Sequence, residues 1–233
     1  MTKGHGILRN RKCRELFERI NKARRCKTCR DERSDFEIED KKGHTWYSNL
    51  LPGFSSSRVR IPIDLLIVAE AIGGSREEDF QPQRSLDSNI RYLSDHYVCN
   101  RLDNFHQQQM RELLDCLSNR NITWVFTDLI KCFVWTGAKD NVKTAIEHCG
   151  KYLDEQISLL RPRKVLALGK RVAREYFELK KTDLQHGKVV PSRRAEIAAL
   201  PVVWSYFPSR NTADLWVKNG EWRPIIRQLF KPA

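Results

Sequence analysis

The segment Thr127-Asp128-Leu129-Ile130-Lys131-Cys132 sets a carboxylate and a thiol four residues apart, at the end of an apolar run that begins at Trp124. A second carboxylate, Glu70, closes the run Leu65-Leu66-Ile67-Val68-Ala69 and is followed by Ala71-Ile72-Gly73-Gly74. In an open parallel α/β sheet, ligands bind outside the carboxyl ends of the strands, so both segments mark one candidate site. A carboxylate placed there can orient water, stabilise a developing cation or accept hydrogen bonds from a ligand. Glu70 is the first catalytic candidate; its bland alternative is to cap the Gly73-Gly74 turn through backbone N–H groups. Asp128 is a candidate for both catalysis and ligand reading. Cysteines form the third group: Cys26-Lys27-Thr28-Cys29, Cys132 just beyond a strand end, and Cys149 on an apolar helix stripe. Alone, Cys149 reads as a small core residue. As a set of four, these thiolates suit zinc or an iron–sulfur cluster, and spacing does not separate the two. Cys13, Cys99 and Cys116 read as packing residues or thiols.

The elements that must position these groups follow from periodicity. Asp64 to Ala71, Trp124 to Ile130, Lys164 to Gly169 and Pro201 to Phe207 are short apolar runs, as expected of buried parallel strands. Helical spacing is expected over Gln107–Leu117, Asn141–Leu160, Arg171–Leu179 and Trp222–Phe230, with a short amphipathic helix through Leu8, Cys13, Leu16, Phe17 and Ile20. Residues 76–104 and 180–199 read as polar and irregular. Strands alternating with helices imply a three-layer αβα fold around a central, mostly parallel four-stranded sheet. Residues 1–60 read as a basic, loop-rich extension that carries the CxxC and packs on a main domain at 61–233. No internal repeat is present.

The chain of 233 residues carries 42 Lys plus Arg against 29 Asp plus Glu, a formal net charge of +13. A hydrophobic content of 40% is sufficient for a core, which argues against disorder. Such a basic protein is expected to meet a polyanion, most often nucleic acid. No apolar run approaches the ~20 residues that span a bilayer, and the polar N-terminus does not resemble a signal peptide. Seven cysteines then fit thiols or metal ligation in a cytoplasmic setting, not a disulfide framework.

Five segments in order resemble the iron–sulfur branch of the uracil-DNA glycosylase superfamily: Ala69-Glu70-Ala71-Ile72-Gly73, Thr127 to Cys132, Cys149-Gly150-Lys151-Tyr152-Leu153, Arg163-Lys164-Val165 to Leu168-Gly169, and Phe207-Pro208-Ser209. With the CxxC they cover residues 26–212. The resemblance implies a monofunctional DNA glycosylase that flips a pyrimidine nucleotide into a pocket, since the glycosidic bond is unreachable inside the stack. It also implies a 4Fe–4S cluster on Cys26, Cys29, Cys132 and Cys149, with zinc as the alternative. Ser209, Arg210 and Asn211 would contact phosphates, against the bland alternative of a plain Pro-Ser turn. The basic stretch Lys180 to Arg194 is either a second DNA-facing loop or a solvated face.

The departures from the branch pattern concern the base. Ile72 replaces a proline, Phe80 is the best counterpart for the ring that stacks on the base, and Phe207 replaces a histidine that stabilises the departing base. Asp128 replaces the asparagine that reads uracil. An ionised carboxylate only accepts hydrogen bonds, so it favours the N4 amino group of cytosine. A protonated Asp128 would mimic asparagine, which requires a proton affinity strongly raised by burial. Excision of plain cytosine would destroy the host genome. The expected substrate is therefore a modified cytosine, hydroxymethylated or glucosylated as in phage DNA; Ile72 and Gly73 are candidates to line the base, and Gly73, Gly74 and Ser75 leave room at C5. Two other readings stay open: an ordinary uracil glycosylase of repair, and a metal-stabilised DNA-binding protein without catalysis.

Overall fold

The computed structural model describes residues 5–22, 52–71, 85–98, 105–131 and 139–230. Its sheet comprises β1 (Phe54–Ser55), β2 (Leu65–Ala71), β3 (Trp124–Ile130), β4 (Lys164–Leu168), β5 (Val189–Pro191) and β6 (Pro201–Ser205), in the order β1-β3-β2-β4-β6-β5. β3, β2, β4 and β6 run parallel, and these are the four strands expected from the apolar runs. The count of four is corrected to six, because β1 and β5 add one short antiparallel strand at each edge. Two- and three-residue strands carry no readable period, and backbone pairing with an existing edge is what forms them.

The helices are α1 (Gly6–Arg9), α2 (Arg11–Lys22), α3 (Leu86–Val98), α4 (Phe105–Asn119), α5 (Lys139–Leu160), α6 (Ala213–Lys218) and α7 (Arg223–Leu229). The α3 helix corrects the irregular reading of 76–104. Leu86, Ile90, Leu93 and Tyr97 form a buried stripe along it, and the Ser85 hydroxyl accepts from the Ser88 N–H at its start, a local N-terminal cap. Between Arg171 and Leu179 the expected α-helix is instead a single π-helical turn, Val172–Tyr176.

All of β3 is buried, so both of its faces are covered. Phe126 packs its ring 4.3 Å from that of Tyr97 on α3, whereas Thr127 meets the Gln156 side chain of α5 at 3.2 Å. Successive strand residues face opposite sides, so α3 and α5 lie on opposite faces and the architecture is the expected αβα. From β2 the chain passes to β3 on one side and then crosses to β4 on the other. That reversal is a topological switch point, and it opens a crevice at the carboxyl ends of these three strands.

The N-terminal elements join the same core. Phe54 of β1 stacks at 4.9 Å on Phe126, and Arg19 of α2 pairs with Glu155 of α5 at 2.7 Å. No helix among the described residues is long and apolar enough to cross a membrane.

The approach to β1 depends on one glycine. Gly53 has φ +119°, and a Cβ there would lie 2.3 Å from the Phe126 carbonyl oxygen. Gly169, at φ +98°, has open space around the same position. Gly169→Ala is expected to cost about 1–2 kcal/mol of backbone strain. Gly53→Ala adds a collision with fixed backbone and is expected to cost at least about 2 kcal/mol more, by analogy with overpacking. Urea unfolding of both variants measures the difference, and equal losses would rule out the close approach as the reason for Gly53.

Candidate active site

Asp128 lies on β3 in register with Ala69 of β2, at the crevice end of the sheet, and is 1% exposed. Its Oδ1 accepts a hydrogen bond from the Tyr97 hydroxyl at 2.8 Å. Its Oδ2 is buried with no hydrogen-bond partner among the described residues. Burial pushes this carboxyl up to about 6, against the opposing pull of the Tyr97 bond and the Lys131 charge. Burial and the neighbouring Asp128 likewise push the Tyr97 phenol well above its usual range. An idle oxygen of this kind costs roughly 1–3 kcal/mol, more if charged, and such exceptions cluster where a ligand supplies the missing partner.

Lys131 holds the strand end from the other face. It is fully buried, and its ammonium contacts Thr127 Oγ1, the Asp128 carbonyl oxygen and Gln156 Oε1, the last at 2.7 Å. Three donors thus meet three acceptors. Gln156 in turn donates to the Pro52 carbonyl at 2.6 Å, tying the approach to β1 into the network. Burial pushes the Lys131 ammonium down, while the Asp128 and Cys149 charges favour its protonated form.

Glu70 sits apart from this dry region. Because Ala69 pairs with Asp128, the pleat turns Glu70 to the opposite face of the sheet. There Arg171, just past β4, contacts Glu70 Oε1 at 2.6 Å, with about a third of each side chain exposed (37% and 29%). The two candidate carboxylates therefore do not face each other; they flank the strand ends in different environments.

Phe207 lies beyond β6, half-buried, with its ring 6.5 Å from Tyr97 and 6.1 Å from His106 at the start of α4. An imidazole thus reaches this place from a different element. Ser209 is held in a local turn: its hydroxyl and backbone N–H both lie 3.0 Å from Thr212 Oγ1, which donates to the Phe207 carbonyl at 2.6 Å. Asn211 is exposed beside it, and the Arg210 side chain lies outside the description. Within the basic stretch Lys180 to Arg194, several charges pair internally. Arg193 meets Asp183 at 3.1 Å, Lys188 meets it at 3.9 Å, and Arg194 meets Asp154 at 2.8 Å while lying over the Tyr176 ring.

Ile72, Gly73, Phe80, Cys26, Cys29 and Cys132 lie outside the described residues. Among the described residues no three His, Cys, Asp or Glu side chains converge on a metal position. Cys149 is the one described member of the cysteine set, fully buried on α5. It lies within electrostatic reach of Lys131, the residue immediately before Cys132. A buried thiol beside a buried ammonium, where the chain leads into a second cysteine, fits thiolate ligation of zinc or a cluster.

Tyr97, Lys131, Gln156, Arg171 and His106 are site residues that sequence reasoning did not single out. Only Lys131 lay inside a motif, and the partners of the others are set by packing between distant segments.

The model of the uracil-DNA glycosylase superfamily matches residues 66–224, more than half of the chain. The protein belongs to this superfamily. The match spans β2 to the start of α7 and takes in Glu70, Asp128, Arg171 and Phe207. Membership points to a DNA glycosylase, a hydrolase of N-glycosidic bonds with DNA as its partner. No curated protein matches the chain.

A stability prediction follows from Asp128. Its folded-state proton affinity is raised from 3.8 to about 6, so the folded protein binds this proton more tightly than the unfolded chain. Its contribution is fully present below the unfolded value, is lost as pH rises through about 6, and stays lost above. Asp128→Asn is expected to remove this loss and to raise stability at neutral pH by on the order of 2–3 kcal/mol relative to wild type. Parallel thermal melts from pH 4 to 8 read it, and curves that stay parallel across this range would contradict a buried, proton-hungry Asp128.

Proposed function

We propose that the protein is a monofunctional DNA glycosylase that excises a modified cytosine from DNA, leaving an abasic site. The observation that carries this reading is the Oδ2 of Asp128 at the crevice, buried and without a partner among the described residues. The hydrogen bond from Tyr97 and the Lys131 charge both favour the ionised form of this carboxyl. An ionised acid offers acceptors alone, and the exposed N4 amino group of a flipped cytosine supplies the matching donor. A bulky group on C5 restricts excision to DNA that differs from the host's own, which makes the enzyme a defence against phages with hypermodified cytosine.

In this mechanism the C1′–N1 bond breaks with both electrons leaving on the base, and the sugar passes through an oxocarbenium-like state. Glu70 stands on the wetter side of the strand ends. Arg171 fixes one of its oxygens, and the other orients the water that attacks C1′ and stabilises the cationic sugar. Tyr97 holds Asp128 in its reading orientation through the 2.8 Å bond. Cys26, Cys29, Cys132 and Cys149 would hold a 4Fe–4S cluster, or zinc, in a structural or DNA-positioning role.

The raised proton affinity of Asp128 also favours a second reading, in which the protonated acid mimics an amide and the substrate is uracil. The two readings have opposite pH dependence. Cytosine-type excision rises as pH climbs through about 6 and levels off above it; uracil excision rises as pH falls through about 6. A panel of identical oligonucleotides carrying uracil, cytosine, 5-methylcytosine, 5-hydroxymethylcytosine or its glucosylated form, cleaved with alkali at abasic sites, distinguishes them. We expect breakage at a bulky modified cytosine. Breakage at uracil alone would overturn this assignment, and no breakage on any substrate would leave a DNA-binding protein without catalysis. On whichever base is excised, Glu70→Gln is expected to slow the reaction by about 10²–10⁴-fold while DNA binding persists.

A further inference from the structure

At the end of the sheet opposite Asp128, three arginines converge with no acid beside them among the described residues. β1 runs antiparallel to β3, with Ser55 in register with Val125, and the Ser56 N–H bonds to the Trp124 carbonyl at 3.1 Å. Residues after Ser56 therefore lie beyond the first residue of β3. Asp128 is four residues further along that strand, about 13 Å away at 3.3 Å per residue. Here Arg9, Arg58 and Arg60, with Asn10, Ser57 and Gly6, line a surface pocket of about 260 Å³, and no described acidic residue stands in its wall.

The pocket is built on fixed backbone. The His5 ring bonds the Ser55 carbonyl at 3.0 Å, the Gly6 N–H bonds the Ser56 carbonyl at 2.8 Å, and the Ile7 N–H bonds Ser55 Oγ at 3.1 Å. These pin α1 to β1. Gly6 permits the contact: a Cβ there would stand 2.5 Å from the Val59 nitrogen and 2.6 Å from the Arg58 carbonyl carbon. The result is that α1, which carries Arg9, is held against the segment after β1 that carries Arg58 and Arg60. All three side chains are exposed, and none forms an ion pair or hydrogen bond among the described residues. Other arginines of this molecule meet an acid, as Arg19 does Glu155, Arg171 Glu70 and Arg194 Asp154. Like charges drawn together without an acid repel one another, and an anion relieves the repulsion. Guanidinium groups match phosphate oxygens in geometry and charge.

We infer that this pocket binds the phosphodiester backbone of a second DNA segment, separate from the one whose base enters the crevice. The ligand class rests on DNA as the partner, and not on which base is excised. A protein holding two segments can pass between them without full release, so the pocket serves the search for a rare base.

The test uses the full-length protein. A duplex of about 30 base pairs is immobilised on beads and loaded with protein, and capture of a second, labelled duplex is measured. We expect wild type to capture it, and the triple variant Arg9→Ser, Arg58→Ser, Arg60→Ser to lose capture by at least about tenfold. The salt dependence of second-duplex binding should fall by about 2.7 in log–log slope, the value for three phosphate contacts. Single-turnover excision on a short duplex should be unchanged. The triple lysine variant keeps the charge and should restore most of the capture, which separates charge from misfolding. Capture by the serine variant at the wild-type level, or no capture by wild type, would overturn the inference. So would preferential capture of RNA or an acidic protein in place of DNA. If no base is excised from any substrate but arginine-dependent capture persists, the pocket stands and the glycosylase assignment fails.

Discussion

A buried ammonium organises the functional end of this sheet. Lys131 is fully buried, and its three acceptors come from β3 itself and from Gln156 of α5, whose amide reaches on to Pro52 ahead of β1. A charge removed from water is tolerable only when its donors are matched, so the three segments are held to one arrangement. Losing any one acceptor leaves a buried charge short of a partner, which is among the more costly defects a core can carry. Asp128 is positioned as a consequence: its carbonyl accepts from Lys131 on one side of the strand while its carboxylate meets Tyr97 on the other. The residue read as the base sensor is thus gripped from behind by its own backbone.

That grip explains how two carboxylates at one sheet end take different characters. Asp128 is 1% exposed and held off water by the rings around Tyr97 and Phe126, with its proton affinity raised by burial. Glu70, on the other side of the pleat, meets solvent and the Arg171 guanidinium. Environments that push paired acids apart are how one site assigns separate tasks to chemically similar groups. Here the separation comes from strand alternation at the topological switch, where β2 is flanked by β3 on one side and β4 on the other.

The net charge of +13 is distributed unevenly in function. Much of the basic stretch Lys180 to Arg194 is consumed in holding that excursion to the body, through Asp183 and Asp154. Arg9, Arg58 and Arg60, which stand far apart from that run in sequence, meet no acid among the described residues. A charge count therefore points to a polyanion, whereas the pairing pattern identifies which cations are available to it.

The parallel strands were legible because each is a continuous apolar run ended by a polar or glycine residue, and burial on both faces demands that composition. Asp128 and Glu70 were legible as candidates because strand ends carry function in such sheets. The edge strands β1 and β5, too short to hold a period, were not legible, and the stripe of α3 was hidden among polar residues. Nor was the company each site residue keeps. Tyr97 is 31 residues from Asp128, Arg171 is 101 from Glu70, and Pro52 is 104 from Gln156. By itself, then, the sequence determined the αβα class, the superfamily resemblance and the chemical types at the strand ends, because these are written in local pattern. Only the tertiary structure decided that one carboxylate is dry with an idle oxygen and the other wet and paired, because burial and partnership are set by side chains that meet across long stretches of chain.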